Sequence, residues 1–119
     1  MSPIEELSQP KDYAGDDNGW TVLAHNSRVN KSWEALMKQS PENTRRCYEH
    51  HRARPMQRIR GRVFPMRHRR YRDRGAWEYE LTGGDRVFYV PRSMDRTVLV
   101  YYAGEHPPKG EAPSPPMFL

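Results

Sequence analysis

The sequence predicts an α+β domain: an N-terminal strand, an antiparallel helical hairpin, and then an antiparallel β-meander packed against the helices. Three observations predict it. A short alternating run, WTVLAH (Trp20–His25), precedes two stretches whose apolar residues recur at helical spacing. Only a few residues separate those two stretches, so the helices they form must fold back on each other. After Pro55 the apolar period drops to two, in three runs joined by turn-forming segments.

Each element has its own local reason. WTVLAH is rich in strand formers and alternates. Asn26 or Ser27 caps the helix that follows, in which Val29, Trp33, Leu36 and Met37 make one apolar stripe. SPEN (Ser40–Asn43) restarts the chain as a second helix. Ser40 is its N-cap, and Pro41 stands at the first helical position, where a missing N–H costs nothing. Thr44, Cys47, Tyr48 and His51 form that helix's inner stripe, and Pro55 closes it. RIRGRVF (Arg58–Phe64) reads as a short strand or an extended loop. AWEYEL (Ala76–Leu81), DRVFYV (Asp85–Val90) and RTVLVYYA (Arg96–Ala103) are the three strands of the meander. The first turn between them, TGG (Thr82–Gly84), is expected to use glycines at positive φ.

Charge is unevenly spread beneath a net value of +5. Residues 1–19 carry five acids against Lys11 alone, while residues 45–74 carry twelve arginines, no lysine, and only Glu49 and Asp73 in opposition. Arginine presents a planar fork to phosphate, so this block is the footprint of a nucleic-acid partner. Residues 1–18 read as a flexible acidic arm, 19–106 as the folded domain, and 107–119, with five prolines, as a flexible tail. With one cysteine, no apolar run of membrane-spanning length and no basic-then-apolar leader, the expectation is a cytoplasmic protein without a membrane partner.

Candidate chemistry sits on one face of the predicted sheet. In AWEYEL, Trp77, Tyr79 and Leu81 point one way, toward the helices, and Glu78 and Glu80 the other. Arg86 shares the glutamates' face with Phe88 and Val90, and His106 stands just past the last strand. A carboxylate, an arginine and a histidine suit metal-independent cleavage of RNA, as base, phosphate-stabilising cation and acid. The arginines and histidine expected to grip RNA are Arg58, Arg60, Arg67, His68, Arg69, Arg70, Arg72 and Arg74. No cofactor or metal is expected: the five histidines show no His-x-x-x-His spacing, and Cys47 lies on a packed helix stripe.

The strand–helix–helix–sheet order, RIRG (Arg58–Gly61), LTGGDRVFYV (Leu81–Val90) and VLVYYAGEH (Val98–His106) together resemble the RelE/ParE superfamily of toxins from type II toxin–antitoxin systems. The resemblance covers about residues 20–106 and implies a RelE-like fold. It implies a cognate antitoxin and, for RelE-like members, cleavage of mRNA on the ribosome with inhibition of translation. Arg86 matches the family's third-strand arginine, which stabilises the transition-state phosphate, and His106 falls where YoeB-like members place a histidine. Glu78 and Glu80 stand where RelE itself has two lysines, so the likeness is nearer the subgroup that uses carboxylate and histidine. The family's C-terminal tyrosine has no clear equivalent after His106. ParE-like members share the fold, poison DNA gyrase and lack this residue set. A gyrase inhibitor of that kind, or a basic nucleic-acid-binding domain, is the alternative reading.

Overall fold

The structure is a computed structural model describing residues 3–15 and 18–117. Its elements in chain order are β1 (Glu5–Glu6), β2 (Thr21–Ala24), α1 (Ser27–Gln39), α2 (Pro41–Ala53), β3 (Val63–Pro65), α3 (Arg69–Arg72), β4 (Trp77–Glu80), β5 (Asp85–Arg92) and β6 (Thr97–Glu105). The strands form one sheet in the order β1-β2-β6-β5-β4-β3. All neighbours are antiparallel except β2 and β6, which run parallel. The expected meander of β4, β5 and β6 is present, and β3 extends it by one strand.

The helices form for the reasons their sequences give. Asn26 accepts a hydrogen bond from the Val29 amide at 2.9 Å and so caps α1. Ser40 occupies the N-cap of α2 with Pro41 behind it, although its side chain makes no capping bond. Trp33 and Leu36 on α1, and Thr44, Cys47, Tyr48 and His51 on α2, are buried. They pack on Trp77, Tyr79, Leu81, Val87, Tyr89, Val98 and Val100 of the sheet, which is the main core. Burial of the Trp33 indole is compatible with its N–H because the N–H donates to the Ser8 carbonyl at 2.8 Å.

Three expectations need correction. The turn at Thr82–Gly84 does not rely on left-handed glycines: positive φ occurs at Gly61, Gly75, Gly104 and Gly110, not at Gly83 or Gly84. Instead the Thr82 hydroxyl donates to Asp85 at 2.8 Å and accepts from the Gly84 and Asp85 amides, a side-chain-built turn. The described part of the acidic arm is part of the fold. Glu5–Glu6 pairs with β2, Leu7 is buried in the core, and the Ser8 amide donates to Asn30 at 2.9 Å. The described part of the proline-rich tail also packs: Ala112 lies against a second apolar cluster and its carbonyl accepts from Tyr71 at 3.0 Å. Residues 1, 2, 16, 17, 118 and 119 of those segments lie outside the described residues. Among the described residues no helix is long and apolar enough to cross a membrane.

Candidate active site and basic grooves

The face of the sheet away from the helices divides into two parts. On one, Met66, Tyr71, Ala76, Phe88, Val90 and Tyr101 form the second apolar cluster, covered by α3 and the tail. On the other stand Glu78, Glu80 and Arg86. Register explains the grouping: Glu80 lies opposite Arg86, and Glu78 opposite Phe88 on one side and Phe64 on the other. Side chains directly opposite on one face meet, so the two carboxylates and the guanidinium fall together.

Arg86 is held on every nitrogen. Its Nε donates to Glu78 at 3.1 Å, its Nη2 lies 3.4 Å from Glu80, and its Nη1 donates to the carbonyls of Thr82, Gly83 and Asp85. Its side chain is 11% exposed and that of Glu78 14%, whereas Glu80 keeps 34%. The guanidinium therefore neutralises one of two adjacent negative charges and fixes both carboxylates. Glu80 is the more accessible of them.

Glu78 and Glu80 open into a cleft of about 540 Å³ whose other walls include Phe64, Arg67, His68, Arg70, Tyr71, His106 and Lys109. His106 is anchored through its backbone, its amide donating to the Gly84 carbonyl at 2.8 Å. The structure thus brings both glutamates and His106, which are far apart in sequence, to one cleft, with Arg86 directly behind the carboxylates. Tyr71 builds the opposite wall. Its ring is buried in the second cluster, and Arg70 donates to its hydroxyl at 2.7 Å, which turns the basic segment 67–74 into an anchored helical turn.

The basic residues separate by job. Arg45 and Arg46 pair with Glu42 and Glu49 along α2. Arg52 donates to the Trp20 carbonyl and the Tyr13 hydroxyl. These three support the fold. Arg67, His68 and Arg70 line the cleft. Arg58, Arg60, Arg67 and Arg72 line a neighbouring groove beside β3. Arg69 faces Asp73 at 3.8 Å, and neither it nor Arg74 lines either space. Sequence reasoning missed Phe64, Tyr71 and Lys109. Phe64 was legible as the middle residue of an alternating strand, and Tyr71 as the aromatic inside the densest basic run.

Beneath the sheet, on the helix side, a second group of titratable residues is sealed from solvent. The His51 ring lies 4.1 Å from that of Tyr89, and its Nε2 is 3.8 Å from the Cys47 Sγ. Burial, with the neighbouring His50, holds His51 well below the usual histidine range, and burial pushes the Cys47 thiol well up. An unionised, enclosed thiol is no nucleophile, as its place on the helix stripe predicts. Among the described residues, no three of His, Cys, Asp and Glu gather where they could hold a metal ion.

A helical hairpin packed on one face of this six-stranded sheet is consistent with a RelE/YoeB-like α+β fold. The chain is similar in structure to a chain of the YoeB–YefM complex from Staphylococcus aureus, with a TM-score of 0.53 and 10% identity over 73% of this chain and 97% of that one. At that identity the likeness is one of fold. No family model matches the sequence, and no curated protein does.

Proposed function

We propose that the chain is the toxin of a type II toxin–antitoxin pair and that it inhibits translation as a metal-independent endoribonuclease acting on mRNA at the ribosome. The observation that carries the reading is the convergence of Glu78, Glu80 and His106 on one cation-rimmed cleft of a YoeB-like fold. Glu80, the more exposed carboxylate, takes the proton of a ribose 2′-hydroxyl. The 2′-oxygen attacks the adjacent phosphorus, the bond to the 5′-oxygen breaks, and His106 delivers a proton to that leaving oxygen. Arg86 fixes the two carboxylates from behind. Arg67, Arg70 and Lys109 on the rim face the charge that grows on the phosphate oxygens. The likeness to a complex of two named partners supports a cognate antitoxin for this chain too.

Expression of the wild type should arrest translation and leave mRNAs cut within ribosome-bound codons. Glu80→Gln and His106→Ala should each lower the cleavage rate by about 10²–10⁴-fold, the usual contribution of one general acid or base. Full toxicity of both variants would sink the assignment.

One observation favours the second reading, a non-catalytic ParE-like inhibitor or binding domain: Glu78 and Glu80 are both ion-paired to Arg86. In that case the trio is structural. Arg86→Ala would then lower thermal stability, Glu78→Gln added to it would restore much of the loss, and Glu80→Gln would leave toxicity intact.

A further inference from the structure

The groove beside β3 is separate from the catalytic cleft but shares a wall with it, formed by Phe64, Met66 and Arg67. Its far side is a tight turn. The Ile59 amide donates to the Val63 carbonyl at 3.0 Å and the Val63 amide back to Ile59 at 2.8 Å, with Gly61 at φ 73 between them. That turn holds Arg58 and Arg60 outward, both exposed, across from Arg67 and Arg72. None of these four arginines makes an ion pair among the described residues, unlike Arg45, Arg46 and Arg86. Phe64 stands in the shared wall, half-buried, strand neighbour to Glu78, with the Arg67 guanidinium 4.6 Å above its ring.

Unpaired arginines around an apolar floor, with an aromatic ring capped by a planar cation, match the needs of a single strand. Phosphates take the rim, and an unstacked base takes the flat arginine–phenylalanine pair. A duplex offers its phosphates but hides its base faces. We propose that this groove is a binding subsite for single-stranded RNA beside the cleft that holds Glu78 and Glu80. The strand crosses the sheet from Glu80 past Glu78 to Phe64 and leaves between Arg60 and Arg72. The subsite reads backbone and base planes rather than base edges, so it grips without selecting sequence. The inference rests on the proposed reading only in taking RNA as the ligand, since gripping does not require cleavage.

The test uses the full chain and a single-stranded RNA of about six nucleotides with 2′-O-methyl sugars, which cannot be cut. Affinity is followed by fluorescence anisotropy across a salt series, with melting curves to check folding. Arg58→Ala with Arg60→Ala should weaken binding at least tenfold and make the salt slope shallower by about 0.7 per arginine removed. Phe64→Leu should weaken it about tenfold with the slope unchanged, and a duplex of equal length should be insensitive to Phe64→Leu. Variants that bind like the wild type, or a duplex that loses affinity equally on Phe64→Leu, would overturn the subsite. Binding as described, with an unmodified RNA left uncut on ribosomes, would overturn the proposed cleavage and leave the subsite standing. Cleavage without any dependence on Arg58, Arg60 or Phe64 would do the reverse.

Discussion

The two faces of this sheet are covered by different means. The helix face is packed by α1 and α2, two contiguous segments whose apolar stripes recur every three or four residues. The opposite face is covered by fragments: a four-residue helix with one planted tyrosine, and a proline-rich tail that returns across it. The Tyr71–Ala112 bond joins residues 41 apart in sequence. Both arrangements leave space. A pocket of about 610 Å³ opens where residues 9–12 meet α1 and α2, lined by Glu34, Met37, Lys38 and Glu42 among others. The irregular cover leaves gaps between its own fragments. The candidate cleft and its neighbouring groove both lie on the irregular side.

The largest expected effect of breaking the contrast falls on the helix face. Trp33 is fully buried and its N–H is satisfied, so Trp33→Ala should cost about 3–5 kcal/mol in chemical denaturation, through lost contact and the cavity left behind. A cost below about 1 kcal/mol would mean the helix face is not the stabilising one.

A proton provides a milder probe of the same face. His51 is neutral when folded because burial lowers its pKa, and it regains its ordinary value, 6.5, when unfolded. The unfolded state therefore binds more protons below that value, so stability is complete above about pH 7 and falls as pH drops. The slope should approach about 1.4 kcal/mol per pH unit for one proton, with His50 adding in the same direction. Melting curves between pH 7 and 5 measure it, and His51→Gln should flatten the dependence. An equal slope in that variant would place the titration elsewhere.

The smallest effect is expected on the irregular face. Tyr71→Phe removes the bond to the Ala112 carbonyl and should cost only about 1 kcal/mol globally. Its consequence should be local, with faster amide exchange in residues 107–117 and none in α1 or α2. Uniformly faster exchange in both regions would show that the two faces are one cooperative unit.

Much of the helix face was legible because its pattern is local. Asn26, the Val29–Met37 stripe, Pro41 and the alternation of Trp77, Tyr79 and Leu81 each reported an element and its buried side within a few residues. The same alternation correctly set Glu78, Glu80 and Arg86 on the opposite face. Glutamates on a strand beside so many arginines suggest salt bridges, but which arginine engages them was not legible, since that depends on the β4–β5 register. Nor was the cover: residues 3–15 look acidic and polar, yet Leu7 enters the core, and residues 107–117 look extended, yet Ala112 seals the second cluster. TGG shows the converse error. Its glycines suggested a backbone-built turn, and the hydroxyl of Thr82 builds it instead.

By itself, then, the sequence determined the element order, the two helix stripes, the strand faces and the basic block, because periodicity and caps are written in neighbouring residues. Only the tertiary structure decided that Arg86 spends its donors on Glu78 and Glu80, that His106 reaches their cleft, and that Phe64 and Arg67 divide it from a second groove. Those outcomes depend on strand register and on where distant segments come to rest, which no local pattern records.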